Sequence, residues 1–471
     1  MIIHVVRSGD TLWGLSQTYR VNLNQIIAAN QIANPNQLVV GQSLVIPEVA
    51  RYHIVQPGEA LWSIAQMYGV TIESIVYENK IENPALIYPG QRLKIPTDFH
   101  VVKAGDTLWA ISIQYGVPVQ DIVRVNRIIN PSQIYPGQRL IIPEKVKPLI
   151  EVNAYITRFD QSGQQIVKEI GEYLTYMSPF SYEVRADGTV RNLFDSELLN
   201  VAKTKSVSPL MVLTNFREGE FSSDLAHEIF LNSDVQEKLI GNIIKVMKEK
   251  GYVGLNIDFE YLYQQDKENY NEFLRRVVSR LHPLGYSVST AVAPKYSREQ
   301  KGLLYEAHDY AAHGEIVDFV VIMTYEWGWS GGPPMAVAPI REVRKVIQYA
   351  LTEMPNHKIM MGMPLYGYDW TLPYVEGGPW AKTLSPLAAV ERAAQYGVSI
   401  QFDEKAQSSF YNYIDEQGKK HVVWFEDARS VQAKYDLVNE LKLRGVSYWV
   451  LGNPFPQNWL VLSDHFRIQK F

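Results

Sequence analysis

The sequence contains no cysteine. That excludes a disulfide frame and any metal site built on thiolates. It also lacks an apolar run of about 18 residues, so no membrane-spanning helix is expected. No charged-then-apolar leader opens the chain, because Met1-Ile2-Ile3-His4-Val5-Val6 already reads as the start of a repeat. Charge of one sign is scarce: 45 basic against 50 acidic residues leave a net charge of -5. Neither the first 147 residues nor the remainder is basic enough to make nucleic acid an expected partner. What remains is an ordinary globular composition, 46% apolar and 20% charged, with 29 Tyr and 10 Trp.

The front third is a threefold repeat. Copy one holds His4-Val5-Val6, Gly9-Asp10-Thr11-Leu12-Trp13, Asn30, Asn34-Pro35, Gly41-Gln42 and Ile46-Pro47. Copy two repeats this at His53, Gly58-Glu59-Ala60-Leu61-Trp62, Asn79, Asn83-Pro84, Pro89-Gly90-Gln91 and Ile95-Pro96. Copy three does so at His100, Gly105-Asp106-Thr107-Leu108-Trp109, Asn126, Asn130-Pro131, Pro136-Gly137-Gln138 and Ile142-Pro143. Each copy reads strand, helix, helix, strand. Leu12, Leu15, Ser16 and Tyr19 keep helical spacing, as do Leu23, Ile26 and Ile27 after Asn22. Asp10 or Thr11 can cap the first helix.

This pattern resembles the LysM module. The resemblance implies a βααβ fold that binds N-acetylglucosamine polymers in a shallow groove. The groove maps to Gly9, Asp10, Thr11 and Leu12 with Asn34 to Val40; to Gly58, Glu59, Ala60 and Leu61 with Asn83 to Pro89; and to Gly105, Asp106, Thr107 and Leu108 with Asn130 to Pro136. Copy two departs from the pattern at Glu59-Ala60, which makes it the least expected to bind. Weak modules that reach one polymer together gain avidity. The joints around Val49-Ala50-Arg51 and Thr97-Asp98 are short, so a compact row of three is expected. A metal site on His4, His53 and His100 is not expected, since they lie about 47 residues apart with no partner at ligand spacing.

From Leu149 onward, strand and helix patterns alternate. Strands are expected at 149–155, 174–180, 210–216, 254–260, 287–293, 317–325, 359–365 and 446–451. Helices are expected at 233–248, with Ser233 and Gln236 at capping-box spacing, and at 265–284 and 339–353. Eight such units in about 320 residues point to an α/β fold, a (β/α)8 barrel; an open doubly wound sheet is the alternative. The stretch 367–424 is too long for a loop and reads as a small α+β insertion between strands seven and eight. The expected division is therefore 2–47, 51–96, 98–143 and 149–471.

Gly251 to Tyr261 organises this region. Side chains alternate along a strand, so Asn256, Asp258 and Glu260 share one face and Leu255, Ile257 and Phe259 the other. Two carboxylates and an amide on a central strand are costly unless they serve a site. In barrels the chemistry sits at the carboxyl ends of the strands. Those ends supply Asp258, Glu260 and Tyr261; Met323, Tyr325, Glu326 and Trp327; Tyr366; and Tyr448-Trp449. Acids beside rings suit a sugar, which stacks on aromatic faces while acids move protons.

Val253 to Glu260 resembles the signature of family 18 glycoside hydrolases, Asp-Gly-x-Asp-x-Asp-x-Glu. By that match Glu260 is the general acid, and Asp258 holds and polarises the substrate's N-acetyl group. Tyr325 matches a tyrosine that bonds the same acetamide, and Trp449 a tryptophan under the sugar. Asn256, Tyr261, Met323 and Glu326 complete the expected substrate contacts. The implied mechanism is substrate-assisted and retaining, an exception to the two-carboxylate scheme, and calls for no metal or cofactor. Val253 and Asn256 stand where the pattern has Asp, and Glu326 where Asp is usual, which implies a shifted pH optimum. Gly328-Trp329-Ser330-Gly331-Gly332 fits the esterase G-x-S-x-G motif, but Pro333-Pro334 ends the helix that motif needs. A Gly-rich loop over the barrel mouth is expected instead.

LysM modules with such a barrel imply a monomeric enzyme acting on peptidoglycan or a related N-acetylglucosamine polymer. The Asn256-Ile257-Asp258-Phe259-Glu260 variant looks like the spore-associated branch, which places it in the spore coat or cortex, made without a leader. A chitinase and a non-catalytic sugar-binding protein are the alternatives.

Overall fold

The computed structural model describes residues 1–47, 51–96, 99–143 and 147–471. Of the expected joints, Val49, Ala50, Thr97 and Asp98 lie outside the described residues. The chain divides into two compact units. One joins Met1–Pro47 to Pro148–Phe471, and the other is Glu48–Lys147.

In the larger unit eight strands follow in chain order: β1 Leu149–Ile156, β2 Tyr176–Pro179, β3 Ser208–Thr214, β4 Gly254–Asp258, β5 Ser287–Val292, β6 Phe319–Ile322, β7 Ile359–Pro364 and β8 Gly445–Leu451. Each pairs in parallel with the next, and β8 pairs back to β1, so the barrel is closed. Its lower interior is packed with Tyr176, Leu210, Ala291, Phe319, Val321 and Met360. That leaves only the carboxyl-terminal mouth for a site. Leu255, Ile257 and Phe259 face the helical shell, where the Phe259 ring lies nearly parallel to Tyr270 and Phe273, with centroids 6.0 Å away in both cases.

The helix Ser233–Lys250 is capped by Asn232, whose side chain accepts from the Asp234 and Val235 amides. The capping box expected from Ser233 and Gln236 is therefore not used: Asn232, one residue earlier, takes the cap, and Gln236 donates instead to the Ile229 and Phe230 carbonyls. Gly251 ends the helix with φ +78, a left-handed turn that glycine adopts without steric cost.

Between β7 and β8 runs a five-stranded antiparallel sheet, ordered Lys382–Leu384, Gly367–Leu372, Lys420–Phe425, Ser408–Ile414, Gln401–Asp403, with the helix Pro386–Gln395 against it. The first repeat copy also belongs to this unit. It pairs strand Ile2–Val5 with Ser43–Ile46 around helices Leu12–Tyr19 and Leu23–Asn30, and Thr11 caps the first helix. Its Val45 lies in the barrel's apolar core and its Val39 in that of the insertion.

The first copy is thus grouped with the barrel and not with the other two. Copies two and three make up the second unit. They meet through helices Ile72–Asn79 and Val119–Val125, with Tyr77 donating to Asp121 at 3.3 Å and Arg127 paired to Glu73. Among the described residues, no helix is long and apolar enough to cross a membrane.

Candidate active site

The alternation along β4 turns Asp258 into the barrel, where it pairs in register with Thr214 of β3. Regular pairing stops there, and the next two residues are held by side chains. Asn215, just past β3, accepts from the Glu260 amide at 3.0 Å and donates to the Glu260 carbonyl at 2.9 Å and the Ser222 carbonyl at 3.0 Å. From the shell side, His308 Nδ1 takes the Ala293 amide at 2.9 Å, which assigns the proton to Nε2; that nitrogen donates to the Phe259 carbonyl at 2.9 Å. Tyr261 follows with φ +53 and turns the chain away from the axis.

Asp258 is buried, and its Oδ1 has no hydrogen-bond partner. Burial without a counter-charge holds its carboxyl well above the usual range. Burial raises Glu260 too, and the neighbouring Asp258 charge raises it further. A charge on Asp258 thus favours the protonated form of Glu260. A third acid, Glu326, sits beyond β6 at φ +69. Burial pushes it up as well, while hydroxyl donors from Tyr366 and Tyr368, the latter at 2.9 Å, partly offset this.

These groups border one cleft of about 490 Å³, lined by Asp258, Glu260, Tyr261, Met323, Tyr325, Glu326 and Trp449. Asn256 is the exception among the expected contacts. It lies beneath the floor, accepts from Tyr155 at 2.8 Å and donates to Ser289 at 3.0 Å. It supports Tyr155, which does line the cleft. The Trp449 ring is wedged edge-on by Tyr155 at 5.6 Å and Phe180 at 4.8 Å.

Trp327, named at the end of strand six, and Trp329 of the expected Gly-rich loop line it as well; the remaining residues are not singled out by the sequence analysis. Tyr155 and Phe180 stand at or beside the ends of β1 and β2, where the strand-end rule could have found them. Phe216, the last residue of the expected strand 210–216, pairs with Phe221 in a short hairpin past β3, while Tyr296, Gln300, Leu304, Tyr305 and Trp329 come from loops with no periodic signal. The Gly-rich loop reaches the mouth through Trp329. It is stitched to the insertion, since the Ser330 carbonyl takes the Ala381 amide at 2.7 Å and the Gly332 carbonyl takes Trp370 Nε1 at 2.9 Å. Ser330 is not followed by a helix. Among the described residues, no lysine or arginine lines the cleft. Such a site offers nothing to a phosphate or carboxylate substrate. It fits an uncharged sugar and a cation that forms transiently beside the acids.

The repeat copies share one internal staple. In copy one, His4 joins Tyr19 and Asp10, each at 2.9 Å, and Asp10 also takes the Arg7 amide at 2.7 Å. His100, Tyr115, Asp106 and Lys103 repeat this in copy three. In copy two Glu59 reaches the same partners, His53 at 2.6 Å and the Gln56 amide at 2.7 Å, so the longer acid preserves the loop. Ala60 does cost copy two its cap, because Thr11 and Thr107 accept from the Gly14 and Ala110 amides and Ala60 has no group to do so. The three acids therefore tie the Gly9, Gly58 and Gly105 loops to the sheet, a structural duty within each expected groove.

Comparison with known proteins follows this geometry. Residues 199–453 match glycosyl hydrolases family 18, and residues 4–47, 53–96 and 100–143 match the LysM domain. The chain is 48% identical over 474 residues to the cortical fragment-lytic enzyme of Bacillus subtilis (strain 168), covering 100% of this chain and 99% of that one. The crystal structure of the Bacillus megaterium QM B1551 spore cortex-lytic enzyme SleL superposes with TM-score 0.79 at 41% identity, covering 100% and 99% of the two chains. That of Bacillus cereus SleL gives TM-score 0.78 at 39% identity, again covering 100% and 99%. A closed barrel with an acidic, ring-lined mouth, matched over its full length in this way, makes the chain a glycosidase of glycosyl hydrolases family 18 that carries three LysM domains.

Proposed function

We propose that the chain cleaves N-acetylglucosamine linkages in spore-cortex peptidoglycan, acting as a monomer held to the wall by LysM modules. The observation that carries this is the pairing of Asp258 with Glu260 at the floor of a cation-free, aromatic cleft. The names of its relatives support the cortex as the place of action.

Glu260, kept protonated by burial and by Asp258, gives its proton to the glycosidic oxygen as the C1–O bond breaks. The substrate's own acetamide oxygen attacks C1 and forms a cationic oxazolinium. Asp258, whose buried Oδ1 lacks a partner, accepts from the acetamide N–H and balances that charge. Tyr325 steadies the same group, and Trp449 lies under the ring. Glu260, now a carboxylate, takes a proton from water as its oxygen attacks C1. The ring opens back to the acetamide and the configuration is retained.

Mass spectrometry of products from purified cortex fragments tests the reading. New N-acetylglucosamine reducing ends from cortex, and few from chitin, are expected. Turnover of chitin alone would make the protein a chitinase. Polymer binding without cleavage would make it a sugar-binding protein.

A further inference from the structure

The three LysM copies look equivalent in sequence, yet their surroundings differ at the same repeat position. Tyr88 and Tyr135 stand just before the Pro-Gly-Gln turns of copies two and three, each 63% exposed. Their counterpart in copy one is Val39, 5% exposed, packed in the core of the insertion among residues such as Ile400 and Phe425. The next residues continue the contact. The Val40 carbonyl takes the Ile400 amide at 2.9 Å, and the Gly41 carbonyl takes Arg429 at 3.1 Å. Gln37 donates to the Ala394 carbonyl at 2.9 Å.

The following strand differs in the same sense. Ser43–Ile46 is buried throughout, whereas Arg92 and Arg139, in the place of Ser43, are exposed. Gly41, Gly90 and Gly137 all have φ near +86. A Cβ at Gly90 or Gly137 would meet nothing within 4 Å, but at Gly41 it would sit 1.8 Å from the Ile400 carbonyl oxygen.

We propose that LysM copy one is a structural part of the glycosidase, its far groove loop committed to the insertion. Anchoring to the N-acetylglucosamine polymer then falls to copies two and three, with Tyr88 and Tyr135 as the rings on which the sugar faces rest. This rests on the reading that LysM modules hold the enzyme on the wall. An exposed tyrosine gives a sugar a flat apolar face with a hydroxyl at its edge. At that position copy one offers neither, since its valine is covered. Two open modules in one compact unit also meet the requirement for avidity, which is simultaneous reach along one chain.

The test uses the full chain. Retention on insoluble peptidoglycan is measured by sedimentation in a Glu260→Gln background, so that the wall is not digested during the assay. Tyr88→Ala with Tyr135→Ala should lower retention by about tenfold or more, the scale of lost avidity. Val39→Ala should leave retention within about twofold, far below that avidity scale. Thermal inactivation of soluble-oligomer hydrolysis, read in chains with Glu260 intact, should come several degrees earlier for Gly41→Ala, with Gly90→Ala close to the parent. Both glycine variants bear the same left-handed strain, and only one meets a carbonyl. If Gly41→Ala fails to fold while Gly90→Ala folds, the structural role is supported, and Val39→Ala still reads out binding.

Retention unchanged by the tyrosine pair, or lost equally with Val39→Ala, overturns the proposal alone. A parent chain that does not sediment with peptidoglycan at all overturns the anchoring reading and this proposal together.

Discussion

Replacing Asn215 should cripple turnover, although that side chain does not line the cleft. It makes three hydrogen bonds, two of them to the backbone of Glu260, and it is fully buried. Asn215→Ala leaves the Glu260 amide and two carbonyls without these partners. At about 1 kcal/mol net for each bond, the stability cost is about 3 kcal/mol. For a unit of this size that lowers the melting temperature by about 4 °C. The larger effect is on placement. With its peptide released, Glu260 moves relative to the bond it must protonate, and a displacement of about 1 Å costs on the order of 100-fold in rate. The fall should appear in kcat on a soluble oligomer at a temperature where the variant is folded, with KM little changed.

Asn215→Asp separates placement from simple destabilisation. It keeps the acceptor for the Glu260 amide, loses both donors and adds a negative charge near the acid. A nearby anion favours the protonated carboxyl, so Glu260 should lose its proton at still higher pH and the alkaline limb of the pH–rate profile should move upward. If Asn215→Ala keeps kcat within about threefold of the parent, against the two orders expected from misplacement, the clamp has no role in catalysis.

Glu260→Gln should reduce hydrolysis by at least about 10²- to 10⁴-fold, the usual range for a general acid, while sedimentation with peptidoglycan persists. The same variant should melt higher than the parent at pH 8. A carboxyl raised by burial contributes its stability at low pH and loses it as pH climbs through the raised value, so the gap should close near pH 4. Asn256→Asp restores the family residue but sets a third acid close to the buried pair. It should raise the alkaline limb and lower the melting point at neutral pH, both readable in one pH series. His308 is held neutral by burial, its value depressed from 6.5 to about 4. A depressed value gives stability above 6.5 that is lost as pH falls, so calorimetry between pH 7 and 4 should show about 3 kcal/mol disappearing, and His308→Gln should flatten that slope.

The barrel was legible because its signals are periodic. Alternation along 254–260 put Asp258 inward and Leu255 outward, and the family signature singled out Glu260. Residues supplied by loops were not legible. Phe221, Tyr296 and Tyr305 reach the cleft only because strand ends far apart in sequence converge, and no local spacing records that. Asn256 misled for a related reason: alternation gives the face of a strand but not the depth, and two residues along β4 separate a lining side chain from one beneath the floor. The docking of copy one did leave a trace. Ser43 replaces the exposed Arg92 and Arg139, Val39 replaces two exposed tyrosines, and Val45 stands where copy two has Lys94. Likeness of motif hid those substitutions, because the motif residues maintain each module's own core.

Burial of Val39 and Val45 also changes where the chain can be cut. An engineer grafting a different anchor onto this enzyme would look to the sequence and sever it after the third repeat, near residue 147. That cut strips a covering from two apolar cores. Severing after Pro47, and rejoining ahead of Pro148, carries the first repeat along as part of the chassis and leaves only the exchangeable pair to be replaced.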